Sequence, residues 1–200
     1  MRIVSAQELE DWLASGRVLE KDARGPKVVA LENGLFLKVF QHRRHPLLAR
    51  LQPAAKRFAE NAHRLQLLEI SAPVVQELLW IDKKKGISGC LYQPLPGTSV
   101  EEIYVQNPDN IATLLPALAK FIRTLHERGI YFRSLHLGNI IQLTQERFGL
   151  IDILDLQFKG RKINRWLVQR NLRHLQSYLN RRKLTEFPLR KLIELYRRTP

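Results

Sequence analysis

The spacing of apolar positions along the chain switches between the period of a strand and the period of a helix. The predicted elements follow from those switches. Ser5-Ala-Gln-Glu8 reads as a capping box, with Ser5 at the N-cap and Glu8 three positions on. It predicts a short helix through about residue 14, ended near Gly16. From 17 to 40 the pattern is that of β structure, with strands at 18–22, 27–31 and 35–40. Gly25-Pro26 marks a turn, and Asn33-Gly34 is the strongest short hairpin signal in the chain. Alternation puts Lys38 on the face opposite Leu37 and Val39. A basic connection follows at 42–46; His42 and His45 have no acidic neighbours at metal-ligand spacing and read as loop residues.

Ala55, Phe58, Ala59, Ala62, Leu65 and Leu68 recur at helical spacing, and Pro53 suits a first turn, so 53–68 is predicted helical. Ser71-Ala-Pro73 breaks it. Strands at 74–80 and 87–92 are joined by the polar turn 82–86. Gln93-Pro-Leu-Pro-Gly97 is stiff and turn-rich, which suits a hinge between two halves. Beyond it come a short helix at 98–104 and a longer one at 109–127, which buries Ile111, Leu114, Leu115, Leu118, Phe121, Ile122 and Leu125 and stops at Gly129. Two further helices are expected at 163–181 and 189–198. The order is a β-rich half with one helix in it, a Pro/Gly connection, and a mostly helical half.

Between the long helix and the tail lies the stretch where polar residues interrupt what would otherwise be core. Ile130-Tyr-Phe-Arg-Ser-Leu-His-Leu-Gly-Asn139 is followed by the apolar run Phe148-Gly-Leu-Ile-Asp-Ile-Leu-Asp155. An Asn and an Asp at fixed separation between apolar segments suit a divalent cation on phosphate. Phosphoryl transfer from ATP also calls for a strand Lys toward the α/β-phosphates, a helix Glu to hold it, and a carboxylate for the acceptor hydroxyl. Lys38, Glu60, Asn139 and Asp152 occur in that order. Each also has a plainer reading. Lys38 can snorkel at a strand edge, Glu60 can pair with Lys56 or Arg64 at helical spacing, and Asn139 can cap a turn. Asp152, in so apolar a run, is the hardest to explain as a surface charge.

These residues together resemble the protein-kinase-like superfamily. Its small bacterial members that phosphorylate inner-core lipopolysaccharide sugars (Kdo or heptose) are most similar, notably proteins labelled toluene-tolerance proteins. Leu35-Phe-Leu-Lys38 resembles the small-lobe lysine strand, and Phe58-Ala-Glu60 the helix glutamate. Leu125-His-Glu-Arg-Gly-Ile130 stands where such kinases approach the catalytic loop. Ser134-Leu-His-Leu-Gly-Asn139 resembles the loop usually written Asp-Leu-His-x-x-Asn, Leu150-Ile-Asp152 the second metal motif, and Arg170-Asn-Leu-Arg-His-Leu175 a large-lobe helix.

The resemblance covers about 17–178. It implies one two-lobed α+β domain of protein-kinase-like fold, with a small β-rich lobe over about 1–93, a hinge at about 93–97 and a trimmed helical lobe over about 98–200. It implies ATP and Mg²⁺ as cofactors, with Lys38, Glu60 and Gln93 toward the nucleotide and Asn139 and Asp152 on the metal. The implied acceptor is a hydroxyl of an anionic glycolipid or phosphorylated sugar.

The chain departs from the pattern in three places. Ser134 stands where the catalytic Asp is usual, Ile153-Leu154 follow the second motif, and only Asp22-Ala-Arg-Gly25 is offered as phosphate cover. Ser134 has no base beside it in sequence; His136, which an extended path would turn away, and Asp155 are the two candidate replacements. An active phosphotransferase and a pseudokinase, a binding or scaffold module without turnover, both remain open. A third reading, an atypical protein kinase near RNA machinery, rests on fold and charge by analogy alone.

Composition narrows the setting. In 200 residues the formal net charge is +14, which implies a polyanionic partner (nucleic acid, an anionic membrane face or a phosphorylated substrate) or merely a soluble basic surface. The basic residues concentrate at the end, where residues 159–200 hold thirteen Lys/Arg and two acidic residues. That tail suits a solvated helix face, anionic lipid or a phosphorylated sugar. Trp80, Trp166 and Tyr178 are not spaced as a stacking platform, which counts against nucleic acid. One cysteine, Cys90, excludes an internal disulfide and fits a reducing compartment, as a small buried residue. No apolar run approaches the ~20 residues of a membrane span, and the amphipathic, acidic start is unlike a signal peptide. The expectation is a cytoplasmic protein, with peripheral contact at the anionic inner membrane as one further setting.

Overall fold

A computed structural model describes residues 1–41 and 50–198; the basic connection with His42 and His45 lies outside the described residues. The architecture is mixed α+β. Two compact units divide it: residues 1–65 with 73–94, and residues 66–72 with 95–200. The unit boundary falls within the Pro-rich segment, between Pro94 and Leu95, and the short segment 66–72 belongs with the second unit.

The first unit is a six-stranded sheet in the order β1-β5-β6-β4-β3-β2. Its strands are β1 (Arg2–Ile3), β2 (Arg17–Asp22), β3 (Gly25–Ala30), β4 (Phe36–Phe40), β5 (Val74–Asp82) and β6 (Ile87–Gln93). Alternation along β4 sorts its side chains between two faces. Leu37 and Val39 pack with Val29, Leu79 and Leu91 under helix α1 (Ala6–Ser15), which contributes Leu9, Trp12 and Leu13. Phe40 meets Phe58 of helix α2 (Ala54–Leu67), and Phe58 also meets Tyr92. Burying a side chain the size of Phe58, which is 1% exposed, is worth about 2–3 kcal/mol. Buried Ser88 on β6 accepts a hydrogen bond from the Ala55 N–H at 3.2 Å, satisfying one of the donors left open at the start of α2.

Local chemistry explains where this unit departs from the pattern. Ser5 caps α1 by accepting from the Glu8 N–H at 3.1 Å, but the Glu8 carboxylate turns to Arg2 at 2.7 Å instead of completing the capping box. Arg2 also reaches Glu77 at 2.7 Å, and this pairing seats β1 in parallel beside β5, a strand the periodicity does not predict. The Asn33-Gly34 hairpin closes through a Leu31 N–H to Leu35 carbonyl bond, leaving a three-residue loop. Gly34 alone takes positive φ there (80°), and the Asn33 side chain accepts from the Leu35 N–H. Gly25 opens β3 and pairs with Asp22, so the tight turn is at Ala23-Arg24, one step earlier than Gly25-Pro26 suggests.

The second unit is largely helical. After β7 (Thr98–Ser99) come helix α3 (Val100–Gln106), a 3-10 turn at Pro108–Asn110 and helix α4 (Ile111–Glu127). The helix expected at 98–104 thus starts two residues later, because Ser99 caps it by accepting from the Glu102 N–H at 3.1 Å. Pro116 sits inside α4 and removes one ladder bond without ending the helix. Gly129, at φ 74°, turns the chain into β8 (Ile130–Phe132). Then follow β9 (Ile140–Gln142), β10 (Phe148–Leu150), β11 (Leu156–Phe158), helix α5 (Arg165–Arg181) and helix α6 (Leu189–Arg198). These strands form two small sheets, β10-β9-β7 and β11-β8. α5 starts two residues later than expected, where Asn164 accepts from the Leu167 N–H at 2.9 Å. Among the described residues no helix is long and apolar enough to cross a membrane.

Candidate active-site loop

The two small sheets frame the stretch that the sequence singles out. β8 ends at Phe132, the chain crosses a 3-10 turn at Leu137–Asn139, and β9 begins at Ile140. β10 returns antiparallel to β9, pairing Leu150 with Ile140. A second 3-10 turn at Ile153–Asp155 then leads into β11, which pairs with β8. This double hairpin brings positions 134–139 and 151–155 to the same ends of adjacent strands.

Buried Asn139 closes the first turn. Its N–H donates to the His136 carbonyl at 2.9 Å and its Nδ2 donates to the Ser134 carbonyl at 3.1 Å. The amide is thereby oriented, with Nδ2 committed to the loop and Oδ1 as the acceptor side. The Asn139 carbonyl accepts from the Ile151 N–H at 3.1 Å, which ties the loop to the residue before Asp152. Asp152 is exposed and left-handed, at φ 52° and ψ 41°. An Asp tolerates that region better than most residues. The turn therefore presents a carboxylate where the backbone changes direction.

Ser134 is not isolated from carboxylates. Its Oγ donates to Asp155 Oδ2 at 2.7 Å, while Arg133 Nε lies 3.6 Å from the same oxygen. Burial is the main cause that lifts the Asp155 carboxyl above the usual carboxylate range; the Ser134 hydrogen bond and Arg133 oppose it. Asp155 Oδ1 is buried and has no hydrogen-bond partner. His136 stacks on Tyr178, with ring centroids 4.0 Å apart and planes 4° apart. Burial is the main cause that pulls its imidazole below the ordinary range, and its Nδ1 also lacks a partner.

The remaining expected residues belong to the first unit. Lys38 lies on the α2 side of the sheet, its Nζ 6.0 Å from the Phe58 ring centroid. Glu60 is exposed and pairs with Lys56 at 3.9 Å, the helical-spacing partner named beside the functional reading. Gln93 is the exposed last residue of β6. Cys90 is fully buried opposite Lys38 in the β4–β6 register, and burial pushes its thiol up to about 12, so it is inert. No family model matches the chain, and no curated protein matches it.

Two supporting groups went unrecognised in the sequence. Tyr178 donates to Glu101 of α3, and Arg182 Nε pairs with Glu101 Oε1 at 2.6 Å. Gly138 lies against both, since a Cβ there would come within 2.7 Å of Glu101 Oε2 and 2.9 Å of the Tyr178 hydroxyl. Behind the loop, buried His126 lies between Tyr196 (2.9 Å, at Nδ1) and Asn171 Oδ1 (3.3 Å, at Nε2). Asn171 Nδ2 donates to the Phe132 carbonyl at 2.6 Å. The sequence carried one signal for this network: Asn171 falls on the buried stripe with Leu175, Tyr178 and Leu179.

Among the described residues no group of three or more His, Cys, Asp or Glu could hold a metal ion. Asn139 and Asp152 nevertheless offer hard oxygen donors, an amide and a carboxylate. Mg²⁺ is commonly held by one or two carboxylates with substrate phosphates and water completing the shell. The donor set fits that mode and does not fit an all-protein cage. A larger cavity of about 730 Å³ lies elsewhere in the second unit, walled by residues such as Lys120, Arg128 and Phe148, but it contains none of these residues.

Proposed function

We propose that the chain is an ATP- and Mg²⁺-dependent phosphotransferase with an alcohol acceptor, similar to the inner-core sugar kinases, and that Asp155 supplies the acceptor-side carboxylate. The observation that carries this reading is Asp155 itself. It is bonded to Ser134, which stands in the usual base position, and its second oxygen is buried without a hydrogen-bond partner. A carboxyl raised by burial is a better proton acceptor than an exposed one. In this mechanism Ser134 and Arg133 fix Oδ2, and the Asp155 carboxylate accepts the proton of the attacking hydroxyl. Asn139 and Asp152 would hold Mg²⁺, which when bound offsets charge on the transferred phosphoryl group. Lys38 would face the nucleotide, with Glu60 and Gln93 in the weaker supporting roles that the resemblance implies. The acceptor class is an anionic glycolipid or phosphorylated sugar, in keeping with the basic tail. A protein of this kind would work in the cytoplasm, with peripheral contact at the inner membrane.

The competing reading, a pseudokinase, draws on the same hydrogen bond: Ser134 replaces the usual base, and one oxygen of Asp155 is already engaged. Calorimetry with Mg-ATP and turnover with core lipopolysaccharide separate the two. The expected result is micromolar to millimolar binding that is lost in Asp152→Asn, and turnover lowered roughly 10²–10⁴-fold in Asp155→Asn with binding retained. Binding without turnover in the wild type, with turnover gained in Ser134→Asp, favours the pseudokinase. No nucleotide binding at all sinks the enzyme and the nucleotide-holding form of the pseudokinase.

A further inference from the structure

Beside the Ser134 loop, on the side of α5, is a cavity of about 220 Å³. Its walls are Arg133, Ser134, Leu135 and His136 from the loop, and His174, Tyr178 and Arg181 from α5. Two imidazoles of this wall each have a buried nitrogen without a partner, His136 Nδ1 and His174 Nε2. Among the described residues Arg181 has no ion-pair partner, unlike its neighbour Arg182, which Glu101 holds. A second cavity shares His174 and adds Arg170, Arg173 and Trp166; the Arg170 guanidinium lies 5.3 Å from the Trp166 ring centroid.

Unpartnered buried polar atoms cost stability unless something else satisfies them. Here the two histidines that carry such nitrogens line one cavity with two arginines, and no carboxylate is in its lining. Two acids adjoin the wall: Asp155 is bonded to Ser134 beside Arg133, and Glu101 is bonded to Tyr178 and Arg182. An imidazole N–H and a guanidinium fork both donate, and a tetrahedral oxyanion accepts from several directions at once.

We propose that this cavity is a binding site for a phosphomonoester dianion, held by Arg181, His174, His136 and Arg133. The neighbouring Trp166 face leaves room for an apolar or sugar body attached to the phosphate. The site stands on the cavity and its donors and requires no nucleotide.

His174 links binding to protons. Burial and Arg170, Arg133 and Arg173 keep its imidazole below the ordinary range, with Asp155 opposing them. A bound dianion favours the charged imidazole, so binding draws a proton to His174, an effect that the phosphate's own second ionisation near ~6 offsets at the acid end.

The test is calorimetry on the full chain with inorganic phosphate and with glucose 6-phosphate, without ATP or Mg²⁺. Sedimentation with phosphatidylcholine vesicles containing phosphatidic acid asks whether a lipid phosphate also reaches the site. Saturable binding is expected for both soluble probes, weakened at least tenfold in Arg181→Ala and in His174→Gln. Lys191→Ala, an exposed change on α6, should leave it unaltered. Tighter binding to glucose 6-phosphate than to the lipid assigns a soluble ligand, and the reverse a headgroup; either outcome supports the site. Equal loss in Lys191→Ala, unaltered binding in both cavity variants, or no binding at ~10 mM overturns it.

Discussion

His126 is a titratable residue taken almost wholly out of water. It is 1% exposed, and burial pulls its imidazole down to about 4, with Asn171 opposing the shift and Arg123 adding to it. In the unfolded chain the same ring titrates near ~6.5. Between these values the unfolded state binds more protons than the folded one. The contribution is therefore complete above about pH 6.5 and is lost as pH falls toward 4, by up to ~3 kcal/mol. Denaturant unfolding followed across that window should show a steeper loss in the wild type than in His126→Gln. Identical pH profiles would mean that the ring is not held neutral. Such a residue is hard to recognise in sequence, because a His in a helix rich in leucine looks like any other polar interruption. Ser134 and Asp155 are hard for another reason. They are 21 positions apart, and only the paired returns of β8, β9, β10 and β11 bring them together.

Elements were legible where the apolar period ran long enough. α2, α4 and α6 follow their stripes to within a residue or two, since a continuous buried face dictates both phase and extent. β1 and β7 are two residues each, too short for any period, and depend on partners distant in the chain. Between these extremes, one buried polar side chain of α5 ties it to two other elements. Asn171 links it to His126 of α4 and, through the Phe132 carbonyl, to the strand entering the Ser134 loop. Asn171→Ala leaves His126 Nε2 unpaired inside the core and removes one of the two donors to the Phe132 carbonyl, which keeps the Leu135 N–H at 3.0 Å. The expected cost is about 2–4 kcal/mol in denaturant unfolding, with Asn171→Asp no better because it removes the donor to Phe132. A loss below about 1 kcal/mol would show that water or a shifted loop repairs the gap.

Over the whole molecule, charge is distributed far less evenly than hydrophobicity. Residues 159–200, which form α5 and α6, hold thirteen of the 33 Lys/Arg and two of the nineteen acidic residues. The +14 charge was legible from composition, but its division of labour was not. Arg182 and Lys162 are drawn inward to Glu101 and Glu127, whereas Arg190 and Lys191 remain exposed on α6. Free basic residues near an anionic surface contribute about 1 kcal/mol each. Arg190→Glu with Lys191→Glu should therefore weaken binding to phosphatidylglycerol vesicles more than tenfold in low salt, while phosphate binding in the α5 cavity is unchanged. Vesicle binding indifferent to the double reversal would remove α6 from any membrane role. The broad α+β division was legible too, because strand and helix periods occupy separate halves; which neighbours each strand takes was not.

The left-handed turn at Asp152 bears on how this chain could change over generations. At φ 52° most side chains are strained, and the residues that sit there most easily are Gly and Asn. Both are a single base change away from an Asp codon. The carboxylate could thus be erased without straining the backbone at this turn, so the backbone conformation places almost no constraint on keeping it. Any pressure that preserves an acid at this position has to come from what the carboxylate itself contacts or does.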